Sequence, residues 1–491
     1  MQETCLSPLV DPAVWESWLA WHAQQHPRKT RMREAYRLVT PDSGRLAELL
    51  LSGRYLPGTP RRVLLNRMDG RRKRLVHVYP PADDLVMKLC CRLSSRYDSL
   101  LPDGCHAFRP GRSARTAFAA LSRVPGLSRM ACIRLDIADF FNAIPPERAL
   151  AALPEPMRLD RPLWSLLRRI VTQEDTPDAM PCGVKPGTPV APLLANHYLA
   201  AFDRRWMETG WPYARYSDDI ILFVPPDRLH AAYAEMCAGL AELGLSLNLA
   251  KTRVHAPGEP WEYLGFRWSD GRVDLSEAAE RKLRNRIRRL ARRLNRYRVR
   301  KDVPVDRILF FFFRRLNGRL FGYEGRDGRF CWARWYMPVL TAAQTLHRLD
   351  LYIEDAARYA ATGRMRLSDR RRIDRSRLKA AGLRTLVSFF YARRWITADA
   401  GHVTTHGDEP HPTQAPYNHG DDRIPHRHHT TTETNTPQAL QRPREERSPR
   451  EERSPLEQRS PQEQRNPQDP QDPQEREVSH EEDRSPARGW F

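Results

Sequence analysis

The chain has 491 residues, room for roughly two to four domains and a sizeable core. Lys and Arg outnumber Asp and Glu by 81 to 60, and the excess is uneven: residues 401–491 carry 12 basic and 18 acidic side chains, leaving 69 against 42 over residues 1–400. A body that basic faces a polyanion, nucleic acid first, whereas no stretch approaches the roughly 18 apolar residues of a spanning helix.

In chain order, the N-terminus "MQETCLSPLVDPAVWESW" lacks the basic-then-apolar pattern of a signal peptide. Residues 1–60 read as a helical extension, with Trp15, Trp18, Leu19 and His22 at helical spacing. Residues 61–275 are mixed, with short apolar strands, Gly/Pro turns and helices between them. Within them "MACIRLDIADFFNAIP" reads as a strand ending at Asp136, followed by Asp139 and Phe140–Phe141. "GVKPGTPVAPLLANHYLAAFD" is a Gly/Pro-rich loop entering a helix, and "ARYSDDIILFV" is a hairpin with Asp218 and Asp219 before five apolar residues. From 277 to about 400 the text is helical. There Leu283, Ile287, Leu290, Leu294 and Tyr297 form one stripe on an otherwise arginine-rich helix, read as a phosphate-tracking face rather than a solvated one. "ILFFFF" at 308–313 is far too short for a membrane. Residues 401–491, with a Pro/Glu/Gln/Arg/Ser repeat, hold too little apolar surface to offset ordering entropy and are expected to be disordered. The "HRHHTTTETNTPQ" patch is read as unstructured, and the eight scattered cysteines, without CxxC spacing, as reduced thiols.

Two adjacent carboxylates at the mouth of an apolar strand repel each other and resist desolvation. Either they tip a solvated turn or a cation neutralises them. Asn-Gly or Asp-Gly would be the favoured tip, and "IILFV" is too apolar for an exposed edge. Asp136 can join the pair if its strand neighbours the hairpin. Three converging carboxylates suit a hard cation such as Mg²⁺, and two such ions about 3.5–4 Å apart can clamp an in-line phosphoryl transfer.

These stretches resemble the conserved boxes of bacterial reverse transcriptases of the group II intron-type and retron-like family. "LDIADFF" is similar to the first catalytic box, "GTPVAPLLANHYL" to the Gly-Ser-Pro box and "YSDD" to the Tyr-x-Asp-Asp box. "NRMDGRRKRLVHVYPPADDLV" and "HAFRPGRSA" are similar to fingers segments, "LGLSLNLAKTRV" and "YLGFRW" to later palm segments. The resemblance implies an α+β right-hand polymerase: fingers and palm over 61–275 built on an antiparallel sheet with helices, a helical thumb or RNA-binding region over 276–400, and a disordered C-terminal tail. It implies RNA-directed DNA synthesis with two Mg²⁺ held by Asp136, Asp218, Asp219 and the carbonyl of Ile137. Arg74 and Arg67 would hold the triphosphate, with Lys73 a rival for Arg74. Phe141 would exclude a ribose 2′-OH, though a core aromatic is the competing reading. Gly187 and Tyr216 would border the nucleotide, and Lys251 would protonate pyrophosphate. Tyr263 and Phe266 would either grip the primer end or lie in the core.

The chain departs from the family pattern at Lys185-Pro186-Gly187, where a Gln is usual, and at Thr188 and Ala191 in place of Ser. The resemblance further implies dNTPs, an RNA template with a DNA or RNA primer from a dedicated structured RNA, and a bacterial cytoplasmic setting such as antiviral defence or a domesticated element. The alternatives are a maturase-like RNA-binding factor and untemplated DNA synthesis.

Overall fold

The structure, a computed structural model, describes residues 4–25, 36–66, 73–173, 183–322, 331–364 and 371–392, without the side chains of 25, 65, 66, 73 and 74. The tail expected from 401 onward and its His-rich patch lie outside these residues.

Strands β1 (Arg61–Asn66) and β2 (Lys73–Val78) form an antiparallel hairpin. A four-stranded antiparallel sheet follows, from β3 (Ala131–Asp136), β4 (Tyr213–Tyr216), β5 (Asp219–Val224) and β6 (Arg253–His255), in the order β4-β5-β3-β6. Strands β7 (Trp261–Tyr263), β8 (Phe266–Ser269) and β9 (Arg272–Leu275) make a third sheet.

Strands β3, β4 and β5 lie between two cores, and strand alternation deals their apolar residues to them in turn. Ile133, Leu135, Ile220, Leu222 and Val224 enter the first core, which they share with Leu6, Leu9 and Trp15. The N-terminal extension is therefore packed into the same core as the sheet. It is pinned there by Asp160, which accepts from Thr4 Oγ1 (2.5 Å), the Cys5 N–H (2.8 Å) and Tyr97 Oη (2.9 Å). Cys132, Ala214, Ile221 and Phe223 enter the second core with Trp261, Phe266 and the helices Glu277–Lys301, Val305–Leu320 and Gln344–Thr362.

The stripe expected on the Glu277–Lys301 helix is the buried one: Leu283, Ile287, Leu290 and Leu294 face inward, while Tyr297 is half-buried. Ser276 Oγ caps the helix by accepting from Ala279 N, and acids in the first turn with bases in the last suit the helix dipole. The arginine face is not wholly unrelieved, because Glu280 pairs with Arg284 (2.7 Å) and with Arg348 (2.9 Å). Among the described residues the cysteines are free thiols and no helix is long and apolar enough to cross a membrane.

Candidate active site

Strand β3 ends on Asp136, and its partner directly across on β5 is Asp219. Opposed residues put both carboxylates on one face, with Cα atoms roughly 5 Å apart. Strands β4 and β5 are joined by Ser217 and Asp218 alone, since Tyr216 already pairs with Asp219. A turn that tight asks for a positive φ, and Ser217 supplies it at +62°, a conformation a non-glycine residue holds only under constraint. Two contacts supply that constraint: the Ile137 N–H donates to the Asp218 carbonyl (3.1 Å), and Arg215 Nη1 donates to the Ser217 carbonyl (3.3 Å). Arg215 is itself fully buried and forked onto Asp203, its Nε and Nη2 reaching the two carboxylate oxygens at 2.7 and 2.6 Å. Tyr213 Oη donates to the same Asp203 (2.6 Å).

Each carboxylate has its own surroundings. Asp136 is buried and accepts from Lys251 Nζ (2.8 and 3.1 Å) and from Asn248 Nδ2 (3.0 Å). The turn that brings Lys251 there is tied to the strand end by Asn248 N–H to the Asp136 carbonyl (2.7 Å) and Ala138 N–H to the Ser246 carbonyl (2.8 Å). Asp219 accepts from Arg134 Nη2 (3.2 Å), and Tyr263 Oη donates to its carbonyl (3.1 Å). Burial first, then the negative charges of Asp219 and Asp136, pushes the Asp218 carboxyl up to about 6. Burial also raises Asp219, with the Arg134 guanidinium opposing it.

The Gly/Pro loop is held against two backbones, and its glycines are required there. A Cβ on Gly183 would lie 2.1 Å from the Phe141 carbonyl oxygen, and one on Gly187 (φ +98°) would lie 2.9 Å from that of His77. The His77 N–H donates to the Pro186 carbonyl (2.7 Å), so the loop borders β2 on one side and the Phe141 segment on the other. Phe141 is buried against Phe140 and Phe108, and Phe108 in turn approaches Tyr216, each ring pair of Phe108 being 6.4 Å apart.

Asp136, Ile137, Asp218, Asp219 and Lys251 are thus brought together, with Phe141 linked to Tyr216 through Phe108. Arg74 lies on β2 opposite Leu65 with its side chain outside the description, and Arg67 lies outside the described residues. Tyr263 and Phe266 are fully buried, which assigns them to the core and not to a primer-gripping surface. Sequence reasoning missed Arg134, Asn248, Phe108 and the Arg215–Asp203 pair. A signal for Arg134 existed: it stands two residues before Asp136, hence on the same strand face.

Among the described residues no three His, Cys, Asp or Glu side chains are gathered closely enough to hold an ion as they stand. Asp136 is turned to Lys251 and Asp219 to Arg134. The donor set is nonetheless all carboxylate oxygen, the chemistry a hard divalent cation takes, and such a cation would offset both the burial and the repulsion that raise Asp218.

A mixed helix-and-sheet fold with clustered carboxylates at the end of an antiparallel sheet has counterparts among known proteins. Residues 82–268 match the family model described as reverse transcriptase (RNA-dependent DNA polymerase). Among curated relatives, the chain is similar to the group II intron-encoded protein LtrA of Lactococcus lactis subsp. cremoris, 24% identical over 39% of this chain and 31% of that protein. It is also similar to Protein YkfC of Escherichia coli (24% identical, 45% of this chain, 70% of that protein). A third relative is an uncharacterized 91 kDa protein in the cob intron of Schizosaccharomyces pombe (30% identical, 30% of this chain, 18% of that protein). The chain therefore spans less than a third of two of these three relatives.

Proposed function

We propose that the chain is an RNA-directed DNA polymerase that extends a primer with deoxynucleotides. Residues 61–275 would form fingers and palm, 276–400 a thumb or RNA-binding region, and 1–60 an N-terminal extension. The observation that carries this reading is the register of Asp136 opposite Asp219, with Asp218 at the turn, inside the segment that matches reverse transcriptases.

Asp136, Asp218, Asp219 and the Ile137 carbonyl are the groups that would hold two Mg²⁺ ions. When bound, such ions activate the attacking hydroxyl and offset charge on the leaving oxygen. Lys251 would protonate the departing pyrophosphate, a role supported by its place beside Asp136 and its 57% exposed side chain. Arg134 holds Asp219 in place, and Arg74 and Arg67 would grip the triphosphate bidentately. Gly187 lets the loop backbone lie close to β2, Phe141 would bar a ribose 2′-OH, and Tyr216 would border the nucleotide. The exposed arginines 281, 286, 289, 292, 296 and 300 support an RNA partner that supplies template and primer.

Primer extension by the full chain on an RNA template with Mg²⁺ tests the reading. Incorporation of dNTPs is expected and should fall to background in Asp218→Ala, while RNA binding persists. Phe141→Ala should admit ribonucleotides; continued exclusion would move that gate elsewhere. A protein that binds RNA without extending any primer would favour an RNA-binding, maturase-like factor, a reading that the similarity to an intron-encoded protein keeps in play.

A further inference from the structure

The run "ILFFFF" takes no part in the carboxylate site. It lies in the Val305–Leu320 helix, where 3.6 residues per turn prevent four consecutive phenylalanines from sharing one buried face. Phe312 and Phe313 are buried with Ile308, Leu309, Leu316 and Leu320, whereas Phe310 is 48% exposed and Phe311 half-buried. Phe311 packs partly against the second core, but packing does not require the outward Phe310 to be aromatic.

Their neighbours are cationic. The Arg314 guanidinium carbon lies 6.0 Å from the Phe310 ring centroid and that of Arg307 lies 5.7 Å from Phe311, while the two rings are 6.1 Å apart. Arg307 and Arg314 thus bracket the rings by about one turn on either side. Neither has an acidic partner among the described residues. The helix's one acid, Asp306, is occupied by Arg377 at 2.7 and 3.0 Å.

We propose that Phe310 and Phe311, between Arg307 and Arg314, form a stacking platform for unpaired bases of a single-stranded RNA. A base offers its π-face to the ring, and the flanking guanidiniums meet the adjoining phosphates or stack on the base themselves. The occupant follows from charge: two cations with no acidic partner among the described residues, set around an aromatic pair, fit a polyanion that also carries aromatic rings. A duplex of equal charge hides its base faces, so the platform favours single strands. This goes beyond the polymerase reading and holds whether or not the carboxylates perform chemistry.

Fluorescence anisotropy of the full chain tests it, using a labelled oligouridine, an abasic strand of equal length and an RNA duplex of equal length at one salt concentration. Phe310→Ala should weaken oligouridine binding about tenfold and leave the abasic strand and the duplex unchanged. Phe310→Trp should retain wild-type binding, and Phe310→Leu, which keeps an apolar side chain without the π-face, should lose it as Ala does. The Arg307→Gln/Arg314→Gln double variant should weaken all three. Wild-type oligouridine binding by Phe310→Ala, equal losses on base-bearing and abasic strands, or full retention by Phe310→Leu would each overturn the platform. So would a Phe310→Ala defect confined to vesicles of anionic lipid. Primer extension on a preannealed template, run alongside, separates the two ideas: its absence in the wild type leaves the stacking result standing, and its presence does not rescue a failed one.

Discussion

Asp218 ionises against both its burial and two neighbouring carboxylates. Its carboxyl moves from 3.8 to about 6 because burial, Asp219 and Asp136 all disfavour the anion. The folded chain then binds that proton more tightly than the unfolded chain does. Below about pH 3 both states hold it and stability is unaffected; the loss grows as pH rises from there and is complete above about 6. In metal-free protein, Asp218→Asn should therefore be more stable than wild type by about 3 kcal/mol at pH 8 and equal to it near pH 3. Urea denaturation at the two pH values measures this. Added Mg²⁺ should raise the melting temperature of the wild type more than that of Asp218→Asn. Equal shifts would locate the cation away from the hairpin.

The hairpin that presents Asp218 depends on a charge pair beneath it. Arg215 and Asp203 are both fully buried, and Arg215 also holds the Ser217 carbonyl of the left-handed turn. Removing one partner leaves the other charged and unpaired in the interior. Asp203→Ala should cost about 3–5 kcal/mol, read as a lower urea midpoint. Arg215→Met combined with Asp203→Leu should recover much of that loss while leaving the turn without its anchor, so that stability returns and extension does not. Recovery of both would relegate Arg215 to a packing role. The Gly/Pro loop makes a parallel demand. Gly183→Ala cannot be accommodated 2.1 Å from the Phe141 carbonyl without moving the loop, and extension should fall further than stability does.

Across the whole molecule, charge is distributed so that the two ends of the sequence oppose each other electrostatically. Residues 1–400 carry 69 basic against 42 acidic side chains and residues 401–491 carry 12 against 18. RNA affinity should fall linearly with salt on a double-logarithmic plot, as counterion release requires. Ending the chain after residue 400 removes net negative charge, so binding at fixed salt should be unchanged or tighter and extension should persist. Loss of extension on truncation would reveal a role for the tail that its composition does not disclose. The buried Asp160 cluster adds a different constraint at this scale. Because it ties residues 4 and 5 to Tyr97 and the helix that starts at Arg161, the N-terminal helices belong to the folding unit of the sheet.

Local pattern was legible from the residues alone. The Asp136 strand end, the Asp-Asp hairpin, the Gly/Pro-rich loop and the leucine stripe of the long basic helix all follow from short-range rules: strand alternation, turn composition and helical period. Those rules govern neighbours in sequence, and they left open which distant groups would meet. Only the tertiary structure set Asp136 opposite Asp219, gave Lys251 to one carboxylate and Arg134 to the other, sank Arg215 beneath the hairpin and turned Phe310 outward while burying Phe312. Each of those outcomes depends on which faces the two cores exclude from water, and no window of sequence contains both sides of a core.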